Sequence, residues 1–338
     1  MFGTREDDVG RLRVVWATVV AHDPIAERGA VIYLPAHTAV EIPGRGLQGL
    51  SDAYSSGGAS LLLVSVENLL NMSIDHYLGL SQADARLIFK STGPMSVDVP
   101  AEVRVPAGPN RARLIFTQGL QRLPAASLVS LLYVIGLGGD DAELASRHLA
   151  FWDALFESFQ SDPAALQDAI ERADGAVADS DARPAEIGRL FASLTAVRHE
   201  ERMLGVLPVT QVGAGGEELY EVDDAEAARF LASLVGEVAR PEDESRVQIL
   251  NGNGVPGIGE RVGQRLVGHG FRVVLSANAR RLNYETTLII AYESTPEALA
   301  EAERARELLG VGQVQVAAQS QGIVNLTVVI GRDFLRKD

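Results

Sequence analysis

Apolar and polar positions first follow a strand's rhythm. Leu12–Val20 is rich in valine and reads as a strand, His22-Asp23-Pro24 as a turn and Ala30–Leu34 as a second strand, so a hairpin is expected. Val40–Gly46, with Pro43-Gly44 inside it, reads as a loop. Past Gly57-Gly58 the spacing becomes helical: Leu62, Val66, Leu69 and Leu70 share one face of a helix from Ala59 to Asn71. His76–Leu80 reads as a short strand. Ser81–Ser91 reads as a helix opened by Ser81 with Asp84 three positions on, a variant of the capping box. Val97–Val99 and Val103–Val105 are extended runs broken by prolines. Helices are expected at Ala125–Tyr133, Ala142–Phe159, Pro163–Ala173 and Pro184–Val197, a strand at Leu204–Val212 and an amphipathic helix at Asp223–Val238.

Arg240-Pro241-Glu242-Asp243-Glu244-Ser245 interrupts this pattern with charge and a proline, which predicts a linker at 240–245 between domains at 1–239 and 246–338. Beyond it, strands are expected at Val247–Leu250, Phe271–Leu275, Thr286–Tyr292, Gln313–Val316 and Leu326–Ile330. Helices are expected at Gly257–Gly268 and Pro296–Leu309. The chain is therefore of the α/β class, with a small α/β domain at its C-terminal end.

Composition removes several functions. The 338 residues carry a net charge of −15, which argues against nucleic acid as the main partner. There is no cysteine, so disulfides, thiolate metal sites and cysteine nucleophiles are excluded together. No stretch reaches the 18 or so apolar residues of a membrane helix. His22, His37, His76, His148, His199 and His269 show no metal-ligand spacing, and no G-x-S-x-G nucleophile elbow is present.

Gly252-Asn253-Gly254-Val255-Pro256-Gly257 fits G-x-G-x-x-G between an expected strand and helix, the setting of a dinucleotide fingerprint. The end of the next strand reads Ser276-Ala277-Asn278-Ala279, without the acid that would hold ribose hydroxyls, so a structural turn is favoured over a nucleotide site.

One ordered series of segments runs through the N-terminal part. It comprises Tyr33-Leu34-Pro35-Ala36-His37-Thr38, Val40-Glu41-Ile42-Pro43-Gly44, Asp52-Ala53-Tyr54-Ser55-Ser56-Gly57-Gly58, Ser65-Val66-Glu67-Asn68-Leu69-Leu70, Ile74-Asp75-His76-Tyr77 and Arg147-His148-Leu149-Ala150-Phe151. In order and spacing it resembles the LytR-CpsA-Psr (LCP) family. Leu250-Asn251-Gly252-Asn253-Gly254, Thr286–Tyr292 and the run from Leu326 to Phe334 resemble that family's LytR C-terminal domain. The resemblance implies an LCP-like α/β/α domain around a central mixed sheet. It also implies a bacterial protein on the extracytoplasmic face of the cell envelope, where a membrane anchor upstream of Met1 would be compatible but is not in this chain. The family's activity is transfer of a glycopolymer from a polyprenyl-pyrophosphate carrier to peptidoglycan, with arginines on the pyrophosphate, magnesium held partly by aspartates, and an apolar tunnel for the lipid.

Several of the implied site residues are missing. The family's proline-arginine-aspartate-threonine is here Pro35-Ala36-His37-Thr38. Arg13 matches an upstream arginine, but Val15 stands where an acid is expected, with Glu6, Asp7 and Asp8 nearby. No basic residue lies between Arg122 and Arg147, where an arginine-rich helix is expected. Losing three charge-assisted contacts would slow transfer by roughly 10³- to 10⁶-fold. The leading expectation is thus a pseudoenzyme that binds a polyprenyl lipid, an envelope glycan or a partner protein, with no catalytic residue, no metal and no cofactor. The alternatives are an active phosphotransferase with a rebuilt pyrophosphate site of Arg13, His37, Arg45 and Arg147, using magnesium, and a nucleotide-binding module built on the C-terminal glycine loop.

Overall fold

The computed structural model describes all residues except 109–110, 174–178, 213–218, 236–243, 318–321 and 337–338. The expected linker therefore falls largely outside the described residues. Two compact units emerge. The first comprises Met1–Ala39, Gly49–Asp52 and Ile74–Val238; the second comprises Val40–Gln48, Ala53–Ser73 and Ala239–Asp338.

The first unit is built on a mixed six-stranded sheet in the order Asp179–Ser180, Leu78–Ser81, Phe2–Glu6, Leu12–Asp23, Arg28–Leu34, Arg202–Val206. The expected hairpin is its centre, with Ala17 opposite Leu34 and Asp23 opposite Arg28. Asp23 shapes the turn by accepting from the N–H groups of Ile25 (2.8 Å) and Ala26 (3.0 Å). Ala30 to Leu34 are all buried, the unbroken apolar run of a strand covered on both faces. The outer strand Arg202–Val206 runs parallel to it, and Leu78–Ser81 runs parallel to Phe2–Glu6.

Helices Gln82–Thr92, Ala125–Tyr133, Asp141–Phe159, Pro163–Arg172 and Pro184–Ala196 bring Phe89, Leu132, Phe151, Trp152, Leu166 and Phe191 into a core shared with Trp16 and Tyr33 of the sheet. The capping box at Ser81 is formed: Asp84 N–H donates to Ser81 Oγ (3.2 Å) and Ser81 N–H to Asp84 Oδ2 (2.9 Å).

Two expectations are revised and a third is extended. Val40–Gly46 is not a plain loop, because Ala39–Ile42 and Gly46–Gly49 pair as a small ribbon. The helix expected from Ala59 is present, and a shorter helical stretch from Leu50 precedes it within Leu50–Leu70; Gly57 (φ −154°, ψ 18°) and Gly58 (φ 67°, ψ −160°) part the two with a kink. Leu204–Val212 is two strands, Arg202–Val206 and Val209–Gln211, parted at Leu207-Pro208. Two hairpin pairings had no clear sequence signal: Met95–Val99 with Gly119–Leu123, and Val103–Pro106 with Ala112–Phe116.

The second unit holds a five-stranded sheet in the order Phe271–Asn278, Ser245–Asn251, Leu326–Ile330, Leu288–Ala291, Gln313–Val316. Ser245–Asn251 is parallel to both neighbours, and Leu288–Ala291 is antiparallel to Leu326–Ile330. Helices Ile258–Leu266 and Pro296–Leu309 place Ile258, Val262, Leu266, Ala302, Ala305 and Leu309 in its core. Within this unit the buried Glu67 pairs with Arg272, and Arg246 Nη1 donates to Asn68 Oδ1 at 3.1 Å.

Candidate functional site

The strand Arg28–Leu34 runs directly into Pro35-Ala36-His37-Thr38. This turn is pinned by Thr38, whose N–H and hydroxyl both donate to the Pro35 carbonyl (3.0 and 2.8 Å). The start of the Leu50–Leu70 helix is stitched to it: Leu50 N–H donates to the Thr38 carbonyl and Ser51 N–H to the Ala36 carbonyl, both at 2.8 Å. Ala36 is buried and offers only a methyl group. His37 is half-buried and held by a carboxylate. Its backbone N–H lies 3.1 Å and its ring Nδ1 3.0 Å from Asp141 Oδ2. Asp141 is the first residue of the Asp141–Phe159 helix, behind Asp140, which caps that helix through Glu143 N–H at 2.9 Å. A helix N-terminus attracts negative charge, and here the protein's own acids occupy it.

The candidate phosphate-binding arginines each have partners within the protein. Arg13 Nε contacts Asp7 Oδ2 (3.1 Å) and its Nη1 contacts Asp52 Oδ1 (2.8 Å). Asp7 is held near pKa 2, first by the Arg11 backbone N–H, then by that of Val9 and by the Arg13 and Arg11 guanidiniums. Arg147 is 1% exposed. Its Nη1 donates to the Leu131 carbonyl at 2.9 Å and its Nη2 to that of Val134, tying its helix to the C-terminal end of Ala125–Tyr133. Burial lowers its pKa against the opposing pull of Glu143 and Tyr33. Arg45 lies in the second unit, exposed, with Nη1 donating to Ser56 Oγ at 3.2 Å.

Asp141 was not singled out in the sequence; the Asp140-Asp141 pair ahead of an apolar-periodic run is the signal that would have found it. Its Oδ1 has no hydrogen-bond partner among the described residues, nor do Glu143 Oε1, Arg147 Nε and Tyr33 Oη. Arg147 and Glu143 lie 3.7 Å apart, an ion pair without a hydrogen bond. Magnesium, implied by the family resemblance, would be held by one or two carboxylates together with substrate phosphates and waters. Val15 supplies none, Asp7 and Asp52 are committed to Arg13, and among the described residues no group of three His, Asp or Glu side chains could hold a metal.

What the first unit does hold is a small apolar slot. It is lined by Leu78, Ile88, Phe151, Trp152, Leu166 and Phe191 among others, and its cavity volume is about 40 Å³. His148 forms part of the wall, with Trp16 and Tyr33 ring centroids 4.9 Å away. Its Nε2 lies 3.1 Å from the Leu132 carbonyl, so that nitrogen carries the proton. Complete burial pushes its pKa down to about 3 and keeps the wall uncharged.

The glycine loop of the second unit is closed on itself. Asn251 Oδ1 accepts from the N–H groups of Asn253 (3.2 Å) and Gly254 (2.8 Å), and Asn253 Oδ1 accepts from Val255 N–H (3.0 Å). Asn253 Nδ2 donates to the Gly331 carbonyl at 2.9 Å. The donors that would cradle a pyrophosphate are thus taken. The glycines have structural reasons: a Cβ on Gly252 would meet the Ile330 carbonyl and the Tyr284 ring at 2.8 Å, and Gly254 and Gly257 have positive φ.

Residues 17–131 match the LytR_cpsA_psr family. Residues 244–334 match LytR_C, the LytR cell envelope-related transcriptional attenuator domain. The chain is 37% identical over 83 residues to the polyisoprenyl-teichoic acid–peptidoglycan teichoic acid transferase TagU of Enterococcus faecalis, covering 24% of this chain and 27% of that protein. It is 25% identical over 153 residues to the probable cell wall biosynthesis protein LcpB of Corynebacterium glutamicum, covering 45% and 35% respectively. The matched segments therefore span well under half of these relatives. In fold, the chain is similar to Bacillus subtilis TagV (TM-score 0.57, 19% identity, 71% of this chain and 97% of that one). It is also similar to a LytR-Csp2A-Psr enzyme from Actinomyces oris (TM-score 0.53, 16% identity, 69% and 87%). The chain thus carries, in this order and on that shared α/β fold, a segment that matches the LytR-CpsA-Psr family and one that matches the LytR C-terminal domain.

Proposed function

We propose that this protein works at the extracytoplasmic face of the bacterial envelope, where it holds the hydrocarbon of a polyprenyl-linked lipid in its apolar slot and does not transfer the attached polymer. The observation that carries this is the fate of Arg147. The one guanidinium that matches the arginine-rich helix is buried and spent on two backbone carbonyls, while Ala36 and Val15 supply neither cation nor acid. A diphosphate needs fixed cationic donors to stabilise its developing charge, and neither Ala36 nor the carbonyl-bound Arg147 supplies one. A hydrocarbon chain needs apolar walls, which the slot has, and must widen its cavity of about 40 Å³ to enter. Relatives named as teichoic acid transferases support the substrate class.

The test combines two assays on the full chain. A fluorescent polyprenyl phosphate should bind, and Thr92→Trp, which plugs the slot from its wall, should weaken binding at least roughly tenfold. Incubation with a polyprenyl-pyrophosphate-linked glycopolymer, a peptidoglycan acceptor and magnesium should give no transfer. The second reading, a transferase with a rebuilt site, is favoured by one feature, the His37–Asp141 pair, in which a buried acid orients a half-exposed imidazole as a proton carrier. Transfer that disappears in His37→Ala would establish that reading in place of the first.

A further inference from the structure

From Leu308 to Gly331 the chain carries no charged side chain, in a protein whose net charge is −15. Inside this run lies Gln313–Val316, an edge strand of the second unit's five-stranded sheet. Natural sheets guard such edges with charge, proline or brevity, because an open row of N–H and carbonyl groups invites another strand. The other edges of the two large sheets follow that rule: Phe271–Asn278 holds Arg272, Arg202–Val206 holds Arg202, and Asp179–Ser180 is two residues long. Gln313–Val316 has neither charge nor proline. Its ladder shows which groups are open. Gln313 N–H donates to the Thr287 carbonyl (2.9 Å) and Ala317 N–H to that of Ala291 (2.8 Å), on the side of Leu288–Ala291. Backbone direction alternates along a strand, so Val314 and Val316 turn their N–H and carbonyl groups to the outer side. Gln313, Gln315 and Val316 are exposed, Val316 at 48%.

We propose that this edge pairs with the same edge of a second copy of the chain, antiparallel about a two-fold axis beside Gln315. Val314 then lies opposite Val316 of the second copy and exchanges backbone hydrogen bonds with it, and the symmetric pair does the same. Gln315 meets its own copy, amide against amide. Charge decides for a second copy over a strand of another protein. Two molecules of charge −15 repel, and a neutral edge lets them come within hydrogen-bonding distance. A different partner would be selected by complementary charge, and this edge offers none. A four-residue edge buries less than a standard interface, so the dimer is weak. The inference does not rest on the slot or on lipid binding.

Sedimentation velocity of the full chain over a concentration series tests it, and a dimer should appear as concentration rises. Val316→Pro removes an outward N–H from each copy and leaves the inner ladder intact, so the dissociation constant should rise roughly 30-fold. Gln315→Glu sets like charges opposite each other and should raise it roughly fivefold, as should Gln315→Lys. An equimolar mixture of the two Gln315 variants should dimerise at least as well as the parent, which a dimer formed elsewhere on the surface would not show. Urea midpoints check that each variant is folded. A chain that stays monomeric up to millimolar concentration overturns the proposal. So does a dimer that Val316→Pro and Gln315→Glu leave at parent strength.

Discussion

Two places in this chain carry the outline of a phosphate site: the end of the Arg28–Leu34 strand in the first unit and the glycine loop in the second. Both are filled by the protein's own groups, but in different ways. In the glycine loop two asparagines satisfy three consecutive N–H groups, and each glycine has a steric or conformational reason to be there. At the strand end the substitution is incomplete: Asp141 Oδ1, Glu143 Oε1, Arg147 Nε and Tyr33 Oη are buried without hydrogen-bond partners. Each such atom costs about 1–3 kcal/mol. The glycine loop thus closes its donors within the chain, whereas the strand end keeps buried polar atoms unmatched.

Arg147→Met should show the contrast most strongly. It strips the Leu131 and Val134 carbonyls of their donor and leaves Glu143 alone, so a loss of roughly 2–4 kcal/mol is expected in urea unfolding. Polyprenyl phosphate binding by the folded variant should not change. An arginine gripping a phosphate would give the opposite pattern, intact stability with weakened binding.

The next effect comes from His148. Its pKa is about 3 in the folded protein against 6.5 for a free ring, so the unfolded chain takes up the proton first. Its contribution is complete above pH 6.5 and falls as pH drops towards 3, by up to about 1.4 kcal/mol per pH unit. Between pH 7 and 5 stability should decline by about 2 kcal/mol. His148→Gln, which can still donate to the Leu132 carbonyl, should flatten that slope. An unchanged slope would place the titrating group elsewhere.

In the second unit, Asn251→Ala removes the acceptor of two loop N–H groups and the donor to the Val255 carbonyl. A cost of about 1–2 kcal/mol is expected. The unaltered protein should give no heat with NAD, NADP or ATP. Heat with any of them would mean that the loop opens and would remove the contrast between the two regions.

Much of the fold was legible because periodicity and capping act locally. Ser81 with Asp84, Ala125–Tyr133 and the Leu12–Leu34 hairpin needed no distant partner to be read. Gly57-Gly58 marked the start of the helix at Ala59, while the helical stretch from Leu50 that precedes this kink is too short to show a period. At the site, residue types were legible and their targets were not. The missing cations could be counted, but Arg147 facing carbonyls rather than a ligand depends on how the Ala125–Tyr133 helix ends, a tertiary fact. The partner of Asp141 was hidden for the same reason: His37 lies 104 residues away.

Arg13→Ala should have the smallest effect and draws the finest distinction. The side chain is 37% exposed, and its partners Asp7 and Asp52 stay near solvent after its removal, so the loss should be about 0.5–1 kcal/mol and should shrink with added salt. If Arg13 serves only to join the Leu12–Asp23 strand to the start of the Leu50–Leu70 helix, Arg13→Gln should restore part of that stability through neutral hydrogen bonds, and polyprenyl phosphate affinity should match the parent in both variants. If Arg13 still meets a phosphate, affinity should fall in both, because neither replacement carries the charge. A binding isotherm for each variant, read beside its urea midpoint, separates a guanidinium that holds two aspartates from one that was left free for a ligand.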